Sequence, residues 1–455
     1  MLKKITILFI FLFFSGNSFA SYKKAVSAVK QKNYFAASVH LKRAIGRTNG
    51  KKIAILMEKI VPKTGIYAFL DLSMKSLNKI GSSSAVNYVK GKKMFFLKKD
   101  KEAIKYFSKV SAGSNFYLQS VLNLASLYEI NGQVSKAIKL AKRCVKLSSR
   151  GAKVSPSRIR RVSAAFRAYI HDTCEILIPR AYYKQGKIKK SVAHFKRIDS
   201  RSYQFPHLLF DSSWAYFRLK NYNRAVGRNL TFQAPLLDNY FLPESEFVKA
   251  ITYLRLCDYD ETIKIIKNFD KNVRKKLQVF QKSFDLKTNR SFPFLDYMKT
   301  RKTKKYKKDF ITKMYDVLAM KPGIKILEYH YKILKREEKR TKLSDKRAFR
   351  SAKADFVKFY NMYIKVKFVG FAKEIIRVSN IMTEMELDIY TFLKNELYDK
   401  KNKRKRKRRT SKELVYNYKR KKNQHIYDFN GEFWADELGN YIPLLESSCK
   451  GKSAF

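Results

Sequence analysis

The chain has 455 residues, with 99 Lys and Arg against 37 Asp and Glu, a formal net charge of +62. Lysine supplies 71 of those cations and arginine 28, the mark of a solvated surface rather than of bidentate arginine recognition sites. Only 16 Gly and 9 Pro argue against a turn-rich β-sandwich or barrel, and 45% apolar residues with 14% aromatics argue against disorder, so an all-α protein of several domains or one extended repeat array is expected.

At the start of the chain, Lys3 and Lys4 precede an unbroken apolar run from Ile5 to Phe14, then a small and polar stretch ending in Ser18, Phe19 and Ala20. That order describes a secretory signal peptide over residues 1–20, cleaved after Ala20. The run is about ten residues, short of the roughly 20 that cross a bilayer. The mature protein is therefore expected to be exported, periplasmic and not membrane-spanning, with an uncleaved anchor as the competing expectation. No Cys follows the run, which disfavours a lipid-anchored form.

Residues 21–270 repeat. Apolar or small residues with 3-4-3 spacing recur at Tyr34-Ala37-Leu41-Ala44, Val134-Ala137-Ala141-Cys144, Ile188-Ser191-Phe195-Ile198, Tyr222-Ala225-Asn229-Phe232 and Tyr259-Thr262-Ile266-Phe269, with a weaker copy at Asp100, Ala103, Phe107 and Val110. Asp100 to Val134 and Ile188 to Tyr222 are both 34 residues, and Tyr222 to Tyr259 is 37. Each set lies on one helix face. Nine residues before each anchor stands a mostly small residue (Ala25, Gly91, Ala125, Pro179, Ser213, Ala250), and six before it an often aromatic one (Ala28, Met94, Tyr128, Tyr182, Tyr216, Tyr253). Small residues there let paired helices pack closely, and Gly132 and Gly186, two before their anchors, suit a tight inter-helix turn. Six copies can be placed, and a degenerate seventh falls around Tyr67 to Leu77. Residues 147–157 have the composition of an exposed loop.

This pattern resembles the tetratricopeptide repeat. The resemblance implies an α-solenoid of helix pairs in which first helices line a concave groove. Groove-facing places then fall about twelve, eight, five and four residues before each anchor. In the last three copies they hold Ile176, Arg180, Tyr183 and Lys184; Phe210, Trp214, Phe217 and Arg218; and Phe247, Ile251, Leu254 and Arg255. An aromatic and apolar stripe beside a column of cations suits a peptide or protein with apolar anchors and acidic groups. The competing expectation is that the chain's own C-terminal helices fill the groove.

Export would place Cys144, Cys174, Cys257 and Cys449 in an oxidising compartment, where three pairings are open. Cys144 and Cys257 occupy positions that normally hold small buried residues and are expected to be core thiols. Cys174 and Cys449 are the candidate bridge.

Beyond Phe269 the period fades into a helical extension over 271–320, and Met320-Lys321-Pro322-Gly323 marks a boundary. Residues 321–399 read as one or two long helices. Phe356, Tyr360, Tyr363, Val366, Phe371, Ile375, Val378, Met382, Met385, Ile389 and Phe392 form a stripe that suits packing in cis better than a coiled coil, since it is aromatic and lacks clean Leu heptads. Residues 400–422 then hold 14 basic residues and one acid, Glu413, with Lys403, Arg404, Lys405, Arg406, Lys407, Arg408 and Arg409 at the centre. Such a block suits an anionic lipid or glycan surface, lipopolysaccharide phosphates or nucleic acid. Nucleic acid is disfavoured because no aromatics interleave the core of the run. In the last segment, 423–455, the aromatic and acidic stretch from Phe429 to Tyr441 reads as a docking element, and it resembles a closing segment of exported repeat proteins of predatory and gliding bacteria.

Catalytic, cofactor and metal motifs are missing: the six histidines are scattered, without HExxH, GxGxxG, GxxxxGK[ST] or GxSxG. Pro243-Glu244-Ser245 resembles the acid of soluble lytic transglycosylases, which cleave peptidoglycan, but the Gly-Leu-Met-Gln type stretch and lysozyme-like domain that should follow are absent. Pro243 and Glu244 fit a helix start better. The expectation is a non-enzymatic scaffold for a cell-envelope protein, with polyanion binding as the alternative.

Overall fold

The computed structural model describes residues 20–149, 164–237, 240–278, 310–402, 432–434, 437–443, 445 and 447–449. Among these residues all regular structure is helical. The chain divides into two compact units: one up to Ala181 with Met320–Ile364, the other Tyr182–Ala319 with Lys365 onward. In chain order the helices are α1 (20–30), α2 (Tyr34–Ala44), α3 (Gly50–Thr64), α4 (Met74–Asn78), α5 (Ser84–Phe96), α6 (Asp100–Ser108), α7 (Tyr117–Ile130), α8 (Val134–Ser148) and α9 (Ala164–Lys184). They continue as α10 (Ile188–Phe195), α11 (Phe205–Arg218), α12 (Tyr222–Leu230), α13 (Pro243–Arg255), α14 (Tyr259–Phe269), α15 (Phe310–Met320), α16 (Pro322–Glu338) and α17 (Lys346–Asn402). This is an α-solenoid of tetratricopeptide-like helix pairs followed by long C-terminal helices.

The same turn joins the helices of all six copies. Two residues before each anchor, the backbone is left-handed at Lys32, Lys98, Gly132, Gly186, Lys220 and Cys257, with φ between 56° and 73°. The next residue donates its N–H to the carbonyl six before the anchor, as in Asn33 to Ala28 at 2.8 Å, Gln133 to Tyr128 at 2.8 Å and Asp258 to Tyr253 at 3.0 Å. These six-to-one bonds satisfy carbonyls that a helix end leaves orphaned. Four of the six turns use a residue with a Cβ where glycine would be unstrained.

The small position and the 3-4-3 set make the cores. Ala25, Ala125, Ser213 and Ala250 have no exposed surface, and a Cβ on Gly91 would lie 2.7 Å from the Phe107 ring of its paired helix. Ala37, Leu41, Ala44, Ala103, Phe107, Ala137, Ala141, Phe195, Ala225 and Ile266 are all buried. The atypical Asn229 and Thr262 are buried too, and each turns its polar group onto its own helix: Asn229 Nδ2 to the Ala225 carbonyl at 3.1 Å, Thr262 Oγ1 to that of Asp258 at 2.7 Å. Around Tyr67 to Leu77 there is a 3-10 turn, Ile66–Phe69, and the five-residue α4.

In the first unit, α16 and the start of α17 pack against α2. Glu337, almost fully buried, accepts the Phe35 N–H at 2.9 Å and so caps α2 from another helix; His40 meets Asp345 at 3.1 Å, and Phe356 meets Phe35 edge-on at 5.7 Å. In the second unit α17 buries Phe368, Phe371, Ile375, Val378, Met382, Met385 and Ile389, with Phe371 against Phe241 and Phe392 against Tyr259. The helix thus packs in cis, but its seam differs from the expected one. Ile364 and Phe368 are buried where Tyr363 and Val366 were expected, and Val366 is 62% exposed. Steps of four from Phe356 through Tyr360 and Ile364 to Phe368 hold one face, from which Val366 points away.

The cysteine expectations are corrected. Cys144 pairs with Cys174 and Cys257 with Cys449, so neither Cys144 nor Cys257 is a free core thiol and Cys174 does not bridge to Cys449. Cys257 lies at an inter-helix turn, not inside a helix.

Candidate partner-binding face

On α11 and α13 the aromatic stripe is continuous. Trp214 lies 5.8 Å from Phe217 on its own helix and 5.9 Å from Phe247 on the next first helix, and Phe217 is 5.7 Å from Tyr222. The Arg218 guanidinium stacks over Tyr183 with 5.1 Å to the ring centre. Phe210, Trp214, Phe217, Phe247 and Ile251 are half-buried, while Lys184, Arg218 and Arg255 are exposed. Ten of the twelve sequence-derived positions therefore offer surface. The other two do not: Ile176 has none and Leu254 7%, because both are held in the packing of the helix pairs. Arg180 is half-buried on the part of α9 that belongs to the first unit.

The C-terminal stretch docks beside this region within the second unit. Gly439 N–H donates to Thr231 Oγ1 at 3.0 Å, Leu445 N–H to Asn223 Oδ1 at 3.3 Å and Ser448 N–H to the Leu256 carbonyl at 2.8 Å, before the Cys257–Cys449 bond. The tail runs along α12, and Gly227 makes room for it, since a Cβ there would fall 1.7 Å from the Tyr441 carbonyl oxygen. Beneath it Arg228 is 8% exposed and lies 5.7 Å from the Tyr216 ring, its guanidinium pKa lowered by burial.

The first unit holds a second cluster, at the places the same offsets give in an earlier copy and outside the last three copies that define the aromatic face. Counting back from Asp100 gives Tyr88, Lys92, Phe95 and Phe96. Lys92 Nζ donates to Asn123 Oδ1 at 2.9 Å and lies 5.9 Å from the Tyr88 ring and 5.6 Å from that of Phe95. Burial pushes its ammonium down to about 8.

Glu244 stands in the first turn of α13 behind Pro243 and is ion-paired with Arg377 of α17. Among the described residues one group brings three metal-ligating side chains together, His171, Asp172 and Glu175 on α9, with ligand atoms within 4.8 Å. Hydrogen bonding to Asp172 raises the His171 pKa, which accounts for that pair as an ordinary contact. Residues 1–19 and Lys403 to Arg409 lie outside the described residues, and no helix among those described is long and apolar enough to cross a membrane.

Fold and face together define a helical-repeat protein with a half-open aromatic face on its first helices. Among solved structures, that of a Rap protein complexed with competence and sporulation factor is similar over 78% of this chain and 99% of its own, at 13% identity and a TM-score of 0.30. No protein-family model matches the chain, and no curated protein matches it.

Proposed function

We propose that this chain is an exported, non-enzymatic scaffold that binds another cell-envelope protein or peptide through the face built by Trp214, Phe217, Phe247 and Ile251, with Arg218, Arg255 and Lys184 meeting acidic groups of the partner. The observation that carries it is the continuous, half-open aromatic stripe across α11 and α13. Aromatic and arginine side chains on a rigid helix pair are the residues that anchor protein interfaces. Export is supported by the apolar run from Ile5 to Phe14 and by the pairing of all four cysteines, which suits an oxidising compartment.

The test is recovery of partners from envelope extract by the full chain and by a Trp214→Ala, Phe217→Ala, Arg218→Glu variant, across a salt series. A groove partner is expected to survive moderate salt with the native chain and to be lost at least ten-fold with the variant; unchanged recovery overturns the assignment. The alternative is binding of an anionic lipid or glycan through Lys403 to Arg409, favoured by the 14 cations in residues 400–422. Under that alternative every partner is lost between low and moderate salt.

A further inference from the structure

α17 carries a second stripe, turned away from the seam it buries. Val366 is 62% exposed, Ile376 38%, Leu387 60%, Tyr390 45% and Leu397 67%. These five fall on one heptad register, with 366, 373, 380, 387 and 394 in one column and 369, 376, 383, 390 and 397 in the other. Five exposed apolar side chains among those ten places, on a helix already packed along its other face, mark a site for a second helix.

The charges select that helix. Residues 365–380 carry four cations, of which Arg377 is paired with Glu244 of its own chain, and one acid, 4 − 1 = +3, whereas residues 381–396 carry one cation and four acids, 1 − 4 = −3. In a chain of net charge +62 this acidic half-helix is a local exception. A parallel copy would set like on like. An antiparallel copy turned about a point between Ile381 and Met382 sets each basic half on an acidic one.

We propose that the chain forms a homodimer in which α17 of one copy packs antiparallel on α17 of the second along this stripe. The same turn sets Val366 opposite Leu397, Ile376 opposite Leu387, and Lys373 over the ring of Tyr390 as a cation–π pair. Asn380 and Thr383 flank the centre, where the Thr383 hydroxyl is held within its own chain by Arg274 and the Ser379 carbonyl. Each helix contributes residues 366–397, roughly 48 Å of contact at 1.5 Å per residue. The inference does not use the aromatic face of α11 and α13, so either can fail alone.

Sedimentation velocity of the full chain is expected to show a dimer whose dissociation constant rises at least ten-fold between 50 and 500 mM salt (a range of about one order in ionic strength). Ile376→Asp with Leu387→Asp is expected to weaken association at least 100-fold while leaving the far-ultraviolet circular-dichroism spectrum of the native chain unchanged, which separates lost association from lost folding. Orientation is read by mixing Val366→Cys chains with Leu397→Cys chains under oxidation. Cross-linking in the mixture and not in either variant alone is expected. A monomer at all concentrations, an association indifferent to Ile376→Asp with Leu387→Asp, or cross-linking of each variant with itself overturns the proposal.

Discussion

In the first unit the helices that return from the C-terminal part of the chain seal α2 with buried polar groups, Glu337 on the Phe35 N–H and Asp345 on His40. In the second unit, besides α17, a tail returns, held on α12 and the turns beside it by three backbone N–H donors and ended by a disulfide, and the first helices beside it keep an aromatic stripe half-open. One repeat plan thus gives one unit whose C-terminal return is sealed by titratable contacts and another whose tail is held by a covalent clasp, the Cys144–Cys174 bond of the first unit joining helices within the repeats. Closure by buried carboxylate and imidazole ties stability to pH; closure by a tail leaves stability to the redox state and frees a surface.

The largest expected effect separates the two clasps. Cys257–Cys449 closes a span of 192 residues and Cys144–Cys174 one of 30, so on chain entropy their loss costs about 5 and about 3.6 kcal/mol respectively. Both tryptophans, Trp214 and Trp434, belong to the second unit. In guanidinium unfolding, Cys449→Ser is expected to lower the midpoint seen by tryptophan fluorescence, whereas Cys174→Ser is expected to shift the circular-dichroism transition and leave fluorescence in place. A fluorescence shift of equal size in both variants breaks the contrast.

A smaller effect tests the polar latch. Burial pushes the Glu337 carboxyl up to about 7, so between its unfolded value of 4.5 and 7 the folded chain keeps a proton the unfolded chain has lost, and stability falls as pH rises through that window. Burial lowers His330 to about 4, so between 4 and 6.5 the unfolded chain binds the extra proton and stability falls as pH drops. The two slopes oppose each other where the windows overlap. Glu337→Gln keeps an acceptor for Phe35 but removes the charge, and is expected to stabilise the first unit by about 2–3 kcal/mol at pH 8 and by little at pH 4.5. Thermal melts at the two pH values check this, and an equal shift at both defeats it.

The smallest effect concerns the turn that both units share. Lys98→Gly in the first unit and Lys220→Gly in the second relieve a left-handed Cβ, with φ of 56° and 57°, and are each expected to add about 0.5–1 kcal/mol. A loss of stability in either would show that the lysine side chain is held by something more than the turn.

Much of the fold was legible because its period is local. The second, third and fourth places of the 3-4-3 sets, Phe232 apart, and the small residue nine before each anchor are buried, and even Asn229, Ser191 and Thr262, atypical for the pattern, are buried, while the anchors Tyr34, Asp100, Val134, Tyr222 and Tyr259 are half-buried. Of the candidate face, the offsets reached Trp214, Phe217, Phe247 and Ile251, which are half-buried, but also Ile176 and Leu254, which sit deeper, since a fixed offset ignores how far each helix has rotated in its pair. Lys92 was within reach of the same rule. The left-handed turns at Lys32, Lys98, Lys220 and Cys257 were not, because no residue type there announces positive φ.

By itself the sequence determined the helix pairs, their anchors and boundaries such as Pro322, since helix formation and close pairing depend on residues within a few turns of one another. Only the tertiary structure decided which cysteines meet, that Glu337 caps a helix some 300 residues away, and which side of α17 is buried. Those outcomes rest on contacts between segments far apart in the chain, for which local spacing carries no signal, and on the choice between two amphipathic faces of one helix that only its neighbours can make.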